Sequence, residues 1–258
     1  MSLIDTRITN EMVIPTIESN IFDGHEDARF AAGIIAVGGA IVEGRDQEYL
    51  GYLRLRANVY ADQTNMISKD QVLEDGTERD GDDKRSVHFA VIENIVGNHR
   101  VVAAMRLIIK SHEDSRPLPI EEYFPEAFDD KRAPERSIEV SRYICRHERQ
   151  SVQSELKWPL YTQGLSYAMT NNLGPTFAVV EAPLENQLRG IGIALNRIAE
   201  PKFVAEYNAD NLAIEIDTKK VARMMGLDKD KSIAAALAAQ NKMTYFGFDS
   251  NKKSDAVA

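Results

Sequence analysis

The sequence has little cysteine and no long apolar run. Cys145 is the single cysteine among 258 residues, so an internal disulfide framework is excluded and a reducing compartment is favoured. The longest apolar stretch, residues 30–42, falls short of the roughly 20 residues that a membrane-spanning helix needs, and it follows an acidic segment. We therefore expect no signal peptide, no membrane insertion and a cytoplasmic location.

Positive charge is also scarce. The chain carries 31 Lys and Arg against 40 Asp and Glu, a formal net charge of −9. Affinity for phosphate backbones comes from clustered Lys and Arg, so this balance opposes nucleic acid binding. The five histidines lack the spacing of a metal motif, and the sequence predicts no metal site.

The domain organisation is simple. The chain has no repeat, no low-complexity tract and no Pro/Gly/Ser linker in its middle, which predicts a single domain over residues 46–258. A shift in composition marks residues 1–45 as an N-terminal extension. An Ala-rich helix is predicted at residues 232–240, and the tail after about residue 245 is expected to be frayed.

The order of predicted elements indicates the fold class. Asp46 is predicted to cap a helix whose apolar face carries Leu53, Ala57 and Tyr60. An acidic loop over residues 70–86 precedes a hairpin of residues 87–96 and 101–110, and then a strand over 137–145. Further along are a helix over 159–171, a strand over 176–182, a helix from residue 183, and strands over 203–207 and 212–216. Such mixed ordering predicts an α/β or α+β fold with a central mixed sheet.

Several charged residues occupy positions that should face inward. Arg56 lies on the apolar face of the first helix, and Arg106 shares the buried face of its strand with Ala104 and Ile108. A buried guanidinium needs a carboxylate partner. The residues available for pairing are Arg56, Asp80, Asp83, Arg106, Glu139 and Arg142. Charge alone leaves open whether they hold the strands together or form a substrate site.

A family resemblance favours the substrate site. In order, Arg56-x-x-x-Tyr60, Glu78-x-Asp80-x-x-Asp83, Arg106-Leu107, the run from Glu139 to Tyr143, and Glu185 with Arg189-x-Gly-Ile-Gly192 resemble the signature blocks of the acyl-homoserine-lactone (autoinducer) synthases. The resemblance implies a GNAT-like three-layer fold, in which a splayed mixed sheet flanked by helices admits the pantetheine arm of the acyl donor. It also implies that S-adenosylmethionine gives its α-amine to the acyl group of an acyl carrier protein, after which the product closes to a lactone.

The resemblance also implies roles for individual residues. Glu139, Arg142 and Asp83 would be catalytic, with Glu139 taking the amine proton through a water. The substrate-binding residues would be Arg56, Tyr60, Asp80, Arg106, Ser141 and Val180. Val180 stands near the acyl pocket where many family members have a small hydroxyl residue, which indicates an unsubstituted acyl chain. No cofactor would be permanently bound, because S-adenosylmethionine and the acyl-phosphopantetheine are substrates.

One departure leaves the acceptor open. Family members carry a tryptophan shortly after the residue that matches Tyr60, whereas residues 61–66 here contain none and the only tryptophan is Trp158. N-acyl amino acid synthases have the same fold with other amine acceptors, so they are the close alternative. A non-catalytic sensor that binds acyl groups is a third.

The spacing of Glu139 and Arg142 predicts a local irregularity. In a regular strand, residues an odd number apart point to opposite faces. Both side chains can line one cleft only if the strand bulges, so we predict a β-bulge between Val140 and Tyr143.

A basic cluster is predicted to dock the carrier protein. Acyl carrier proteins are acidic, so an enzyme with net charge −9 must offer them a local positive surface. We predict that Arg146, His147, Arg149 and Lys157 form this surface, together with backbone N–H groups at a helix start near Pro159.

Overall fold

The computed structural model describes residues 29–95, 98–112, 114–128, 132–224 and 244–246. The helix predicted at residues 232–240 lies outside the described residues, as does the tail beyond Phe246. Among the described residues, no helix is long and apolar enough to cross a membrane.

The strands are β1 (Phe30–Val37), β2 (Ala40–Ile41), β3 (Ser86–Ile95), β4 (Asn98–Ile109), β5 (Ile138–Cys145), β6 (Thr176–Val180), β7 (Leu195–Arg197), β8 (Lys202–Val204), β9 (Ala209–Ile216) and β10 (Thr244–Phe246). The α-helices are α1 (Asp46–Ala57), α2 (Pro119–Tyr123), α3 (Gln150–Glu155), α4 (Lys157–Thr170), α5 (Ala182–Gly190) and α6 (Thr218–Met224).

The strands form one mixed sheet with helices on both faces. Its order is β10-β1-β3-β4-β5-β6-β9-β7, and β2 and β8 pair with β1 and β9. Only β5 and β6 run parallel among the described pairs. Leu53 of α1 packs against Ala104, whereas Leu160 of α4 packs against the neighbouring Met105. Since neighbouring strand residues point to opposite faces, α1 and α4 cover opposite sides, and the predicted three-layer architecture is confirmed.

The first strand corrects the predicted N-terminal boundary. All eight residues of β1 are buried, and the strand pairs with β3 along its length. Residues 30–37 therefore belong to the sheet and not to an appended arm. Their composition is misleading because a strand buried on both faces is a continuous apolar run without the alternation of a half-buried strand.

The N-cap of helix α1 is one residue earlier than the sequence predicts. Arg45 occupies the N-cap and no side chain caps the helix, so the predicted cap at Asp46 is wrong. The helical path then widens into a π-helix, Asn58–Gln63. This segment carries Tyr60 to the end of β5, where its hydroxyl donates a hydrogen bond of 3.3 Å to the Tyr143 carbonyl.

Strand β5 departs from regular geometry where the bulge was predicted. Arg106 of β4 pairs with Ser141, and Ala104 pairs with Ile144, so the one intervening residue of β4 stands opposite two residues of β5. The extra residue lies at Arg142 and Tyr143, and Arg142 adopts the left-handed region with φ of 50°. The predicted β-bulge is confirmed.

Strands β5 and β6 separate beyond this point. Their parallel pairing runs from Ile138 opposite Thr176 to Val140 opposite Ala178 and then stops. Residues 141–145 of β5 continue along β4, and none of the described residues pairs with them on the β6 side. The central sheet is therefore splayed, as the resemblance implied.

Two predictions in the C-terminal half are shifted. The segment predicted as a strand over 203–207 is the short strand β8 followed by the 3-10 helix Ala205–Tyr207. The helix predicted from Pro159 begins at Lys157, directly after α3. Short elements joined without a glycine or proline leave little trace in the pattern of a sequence.

Candidate active site

A cavity of about 320 Å³ opens at the splay of the sheet. Glu139, Ser141 and Arg142 of β5 line one side, and Val180 of β6 lines the opposite side. Behind them, the wall is formed by apolar side chains of the sheet, α4 and α5, including Met105, Leu107, Leu165, Ala168, Leu184 and Leu188. The cavity therefore joins a polar mouth to an apolar interior, which is the usual form of a ligand site.

Arg106 is the buried centre of a charge cluster at this mouth. Its Nη1 donates to Asp80 Oδ1 at 2.6 Å and to Asp83 Oδ1 at 2.7 Å, and its Nη2 donates to Asp80 Oδ2 at 2.7 Å. The guanidinium is almost fully buried. The expectation that Arg106 is buried and paired is confirmed.

Arg56 completes the inner part of the cluster from α1. Its Nη1 donates to Asp83 Oδ1 at 2.6 Å, and its Nε donates to Glu78. Arg56 has no exposed surface, so it faces inward as the helical period predicts. Asp80 and Asp83 are held by a capping box around the 3-10 helix Gly81–Arg85, in which Asp83 Oδ2 accepts from the Asp80 N–H at 2.9 Å.

Arg142 joins the cluster from the bulge. Its Nη2 donates to Glu78 Oε1 and to Asp80 Oδ2, each at 3.0 Å. Its guanidinium carbon lies 5.3 Å from the centre of the Tyr60 ring, within the range of a cation–π contact. The left-handed backbone at Arg142 thus places the side chain on the same face as Arg106 and Glu139.

The acids of the cluster are held in their charged form. Burial favours the neutral form of Asp80, but the charge and hydrogen bonds of Arg106 and the charge of Arg142 lower its pKa far below the ordinary value. The pKa of Glu78 is likewise lowered, because Arg142 and Arg56 outweigh its burial. The positive charges of the three arginines therefore balance the negative charges of the three carboxylates, Glu78, Asp80 and Asp83.

The structure exchanges one member of the predicted set. Glu78, and not Glu139, is the third carboxylate that pairs with the arginines. Glu78 lies two residues before Asp80, so in an extended segment both side chains point the same way. This alternation, together with the place of Glu78 in the signature block Glu78-x-Asp80-x-x-Asp83, is the sequence signal that points to Glu78.

Glu139 stands apart in a less polar environment. The Ile120 N–H donates to its Oε2 at 2.8 Å, and the side chain lines the cavity. Burial raises the pKa of Glu139 to about 8, although the Ile120 N–H and the charge of Arg106 act in the opposite direction. A carboxyl group with a pKa near neutrality can hold or release a proton at physiological pH.

A histidine supports the cluster from behind. His88 Nε2 lies 3.2 Å from the Asp83 carbonyl oxygen, and Nδ1 lies 3.3 Å from the Tyr52 hydroxyl. A carbonyl only accepts, so Nε2 carries the proton and Nδ1 accepts from Tyr52. The Tyr52 oxygen accepts in turn from Arg56 Nη1 at 3.3 Å. Burial lowers the pKa of His88 to about 4, so the ring is neutral.

The predicted substrate residues meet at one cavity or its adjoining cluster. Tyr60, Ser141 and Val180 line the cavity directly, and Arg56, Asp80 and Arg106 lie in the cluster at its mouth. Sequence reasoning missed Tyr207, which also lines the cavity and follows β8 in a 3-10 helix. No periodic pattern in the sequence marks Tyr207, because only the tertiary fold brings this segment to the cavity.

The predicted docking residues separate into two groups. Arg146, Arg149 and Lys157 are exposed or half-exposed, with Arg146 also at the cavity wall. The side chain of His147 is 1% exposed and lies 3.3 Å from the buried Glu93, so its place on a docking surface is contradicted. Pro159 lies inside α4 and not at a free helix start, because Leu156 links α3 to α4 in a helical conformation.

Metal binding has no support in the part of the chain that the structure describes. Its histidines, cysteine and carboxylates form no group of three or more that could hold a metal ion. The charge cluster instead pairs its carboxylates with arginines. The arrangement is suited to binding a charged organic molecule beside an apolar chain.

Similarities to known proteins agree with this arrangement. A sequence model of the autoinducer synthase family matches residues 45–224, while no curated protein is significantly similar in sequence. The acyl-homoserine lactone synthase LasI superposes with a TM-score of 0.59 at 19% identity, covering 77% of this chain and 96% of LasI.

Two further structures have the same fold. BjaI, a CoA-dependent acyl-homoserine lactone synthase solved with SAM and isopentyl-CoA, gives a TM-score of 0.56 at 19% identity over 82% of this chain and 99% of its own. FeeM, an N-acyl amino acid synthase from uncultured soil microbes, gives 0.52 at 16% identity over 74% and 92%. Because the family model spans most of the chain, the protein belongs to the autoinducer synthase family and is an N-acyltransferase.

Proposed function

We propose that the enzyme transfers an acyl chain from acyl carrier protein to the α-amine of S-adenosylmethionine and releases an acyl-homoserine lactone. The observation that carries the proposal is the cavity itself. Its mouth has a balanced charge cluster and Glu139, whose pKa is raised, and the gap between β5 and β6 connects this mouth to an apolar interior. One end suits a zwitterionic, cationic acceptor, and the other suits a fatty acyl chain.

The charge cluster would bind the acceptor. S-adenosylmethionine carries a sulfonium, an ammonium and a carboxylate. Asp80 and Glu78 would attract the cationic groups. Arg142, whose side chain is the most exposed of the three arginines, would orient the carboxylate. Asp83 is bound to two arginines and would hold them in place.

Glu139 would act as the base for acyl transfer. The neutral amine attacks the thioester carbonyl carbon, a C–N bond forms, and the C–S bond breaks to release the pantetheine thiol. Glu139 would take the amine proton through a water, in its deprotonated form. Backbone N–H groups of β5 beyond Val140, where pairing with β6 ends, would stabilise the oxyanion.

Lactone closure would follow at the same site. A carboxylate oxygen of the acylated product attacks its own γ-carbon, and the C–S bond to sulfur breaks to release methylthioadenosine. This step needs the carboxylate near that carbon. Arg142, which lines the cavity, would hold this geometry by ion pairing and so reduce the entropy lost in ring closure, while Arg56 would stay buried behind it.

One observation favours a second candidate, N-acylation of a free amino acid. The segment after Tyr60 lines the cavity with Thr64, Met66 and Ile67 and contributes no aromatic ring. An aromatic side chain would stack on adenine, so its lack reduces the contact available to an adenosyl group. A free amino acid needs no such contact.

Products distinguish the candidates. The full chain is incubated with a series of acyl carrier protein and CoA thioesters, either with S-adenosylmethionine or with free amino acids, and products are identified by mass spectrometry. Lactone together with methylthioadenosine supports the proposal, and an N-acyl amino acid supports the second candidate. Saturable acyl binding without any product would indicate a sensor, and a preference for CoA would replace the carrier protein as donor.

A further inference from the structure

Helix α4 and strand β4 approach each other closely at Gly164. Gly164 lies in the middle of α4, and a Cβ atom at this position would stand 2.2 Å from Met105 Cε. Glycine inside a helix lowers stability relative to alanine, so a spatial requirement explains it. The tip of Met105 occupies the space that a side chain at position 164 would fill.

Met105 is at once a core residue and part of the cavity wall. It is 2% exposed and packs with Leu107, Leu156 and Leu160. It also lines the cavity together with Gly164 and Leu165. Any displacement of its flexible thioether is therefore directed into the cavity, because the remaining neighbours are closely packed core side chains.

This wall borders the apolar part of the cavity. Met105 and Arg106 are consecutive in β4, so they point to opposite faces of the sheet. Arg106 faces the charge cluster, whereas Met105 faces α4 on the other side, where Leu165 and Ala168 also border the cavity. A molecule reaching Met105 from the cluster must pass through the gap between β5 and β6, as an extended acyl chain can.

We propose that the contact between Gly164 and Met105 determines the longest acyl chain that this enzyme accepts. The inference rests on the proposed function, since it assigns the apolar part of the cavity to the acyl group. With glycine at 164 the thioether lies against α4 and the cavity stays deep. A larger residue at 164 pushes Met105 inward and makes the cavity shorter.

The test compares Gly164→Ala with a matched control. At Gly190, the last residue of α5, an added Cβ meets nothing within 4 Å, so Gly190→Ala introduces the same methyl group without a clash. Gly164→Ala is expected to reduce kcat/KM for long donors by about fourfold for each methylene group that the shortened cavity no longer buries. The kcat/KM of short donors should stay unchanged. Gly190→Ala is expected to keep the wild-type profile.

Two further variants keep the test independent of folding in Gly164→Ala. Met105→Val shortens the side chain at an intact Gly164 and should extend the profile to longer donors. The double variant Gly164→Ala with Met105→Val should recover the long donors that the single glycine variant loses. An unchanged profile in Met105→Val, or a folded Gly164→Ala with wild-type preference, would overturn the inference.

Binding separates this inference from the proposed function. Dissociation constants of a homologous series of acyl-pantetheines are measured by calorimetry on the same variants. If the wild type makes no product with any donor but the binding profile shifts as expected, the proposed reaction is wrong and the role of Gly164 and Met105 stands. If products form but neither binding nor turnover depends on these residues, the proposed reaction stands and the role of Gly164 and Met105 is wrong.

Discussion

The protonation of Glu139 is determined by its burial. The residue is 1% exposed, and the pKa of its carboxyl group is raised to about 8. As pH rises above about 4.5 the unfolded chain loses this proton, while the folded chain keeps it until about pH 8. The folded state is therefore progressively destabilised across this range by a group that catalysis would need in its charged form.

Replacing Glu139 with glutamine should separate stability from activity. Glu139→Gln accepts the same Ile120 hydrogen bond but does not titrate. We expect kcat to fall by about a hundredfold to ten-thousandfold, while the free energy of unfolding above pH ~8 rises relative to wild type. In the wild type, kcat/KM should increase with pH through a single ionisation near 8.

The control for this pair of measurements is Glu122→Gln. Glu122 is the exposed neighbour of the buried residues of α2, so its loss should change neither quantity. Stability is measured by urea unfolding and activity by lactone formation. A Glu139→Gln variant that is less stable than wild type at high pH would contradict the assignment of a raised pKa.

His88 makes the opposite contribution to pH dependence. Its pKa is lowered from 6.5 to about 4, mainly by burial, with Arg56 and Arg106 adding to the effect and Asp83 opposing it. Below pH 6.5 the unfolded chain binds a proton that the folded chain does not, so stability is present above pH 6.5 and is lost toward pH 4. Tyr49 and Tyr52 face the ring and carry no charge in this range.

The difference between the folded and unfolded pKa values of His88 predicts that acid destabilises the fold, and that His88→Gln reduces this acid sensitivity. Between pH ~7.5 and pH ~5, the wild type should lose about 2 kcal/mol more stability than His88→Gln, from the separation of the two pKa values. Urea unfolding at the two pH values measures the difference. His112→Gln, at an 87% exposed side chain, should show no such difference, and equal acid sensitivity in wild type and His88→Gln would exclude His88 as the cause.

At the scale of elements, a buried ion pair fixes the short helix that contacts Glu139. Lys110 Nζ lies 2.6 Å from Glu121 Oε1, and the same carboxylate accepts from the Leu118 N–H at 2.7 Å and the Ala133 N–H at 2.9 Å. Glu121 thereby ties α2 to the end of β4 and to the following loop. Ile120, adjacent in α2, then donates to Glu139.

Breaking this ion pair should affect both folding and the pH profile. Lys110→Met leaves the Glu121 carboxylate buried without its cation, which costs roughly 3 kcal/mol of stability. If α2 shifts, Glu139 loses an N–H donor that favours its charged form, its pKa rises, and the increase in kcat/KM moves to higher pH. Lys84→Met, at an exposed position, is the control, and a destabilised Lys110→Met with an unshifted profile would mean that α2 does not position Glu139.

The element scale also explains how the bulge serves the site. A regular β5 would place Glu139 and Arg142 on opposite faces, but the extra residue and the left-handed backbone at Arg142 bring both to the face of Arg106. The same irregularity coincides with the end of pairing to β6. One local departure thus orients a charged side chain and opens the sheet.

At the scale of the whole molecule, charge should govern donor binding. The chain carries −9 overall, whereas Arg146 and Arg149 are exposed and Arg146 also lines the cavity. We expect reversal of both to glutamate to raise KM for acyl carrier protein thioesters at least about tenfold and to reduce the salt dependence of binding. Stability should change little, since exposed charges contribute little.

The control donor and control variant localise this effect. Acyl-pantetheine lacks both the phosphate and the protein, so its KM should be the same in wild type and in the double variant. Arg54→Glu, on the exposed face of α1, should leave carrier protein binding unchanged. If the Arg146 and Arg149 variant keeps the wild-type KM for the carrier protein, the docking surface lies elsewhere.

The sequence by itself determined the class of fold and most of the charge cluster. Alternation in β4 placed Arg106 on a buried face, the helical period turned Arg56 inward, and the odd spacing of Glu139 and Arg142 required the bulge that β5 contains. These features are local, because the period of a strand or helix fixes the side to which a residue points before any tertiary contact forms.

Tertiary structure decided the features that depend on distant parts of the chain. It placed β1 inside the sheet, selected Glu78 as the partner of Arg56 and Arg142, and buried His147 against Glu93. It also brought Met105 within contact of Gly164. The sequence could not determine these outcomes, because each depends on the distance between segments that only the packed sheet and helices bring together.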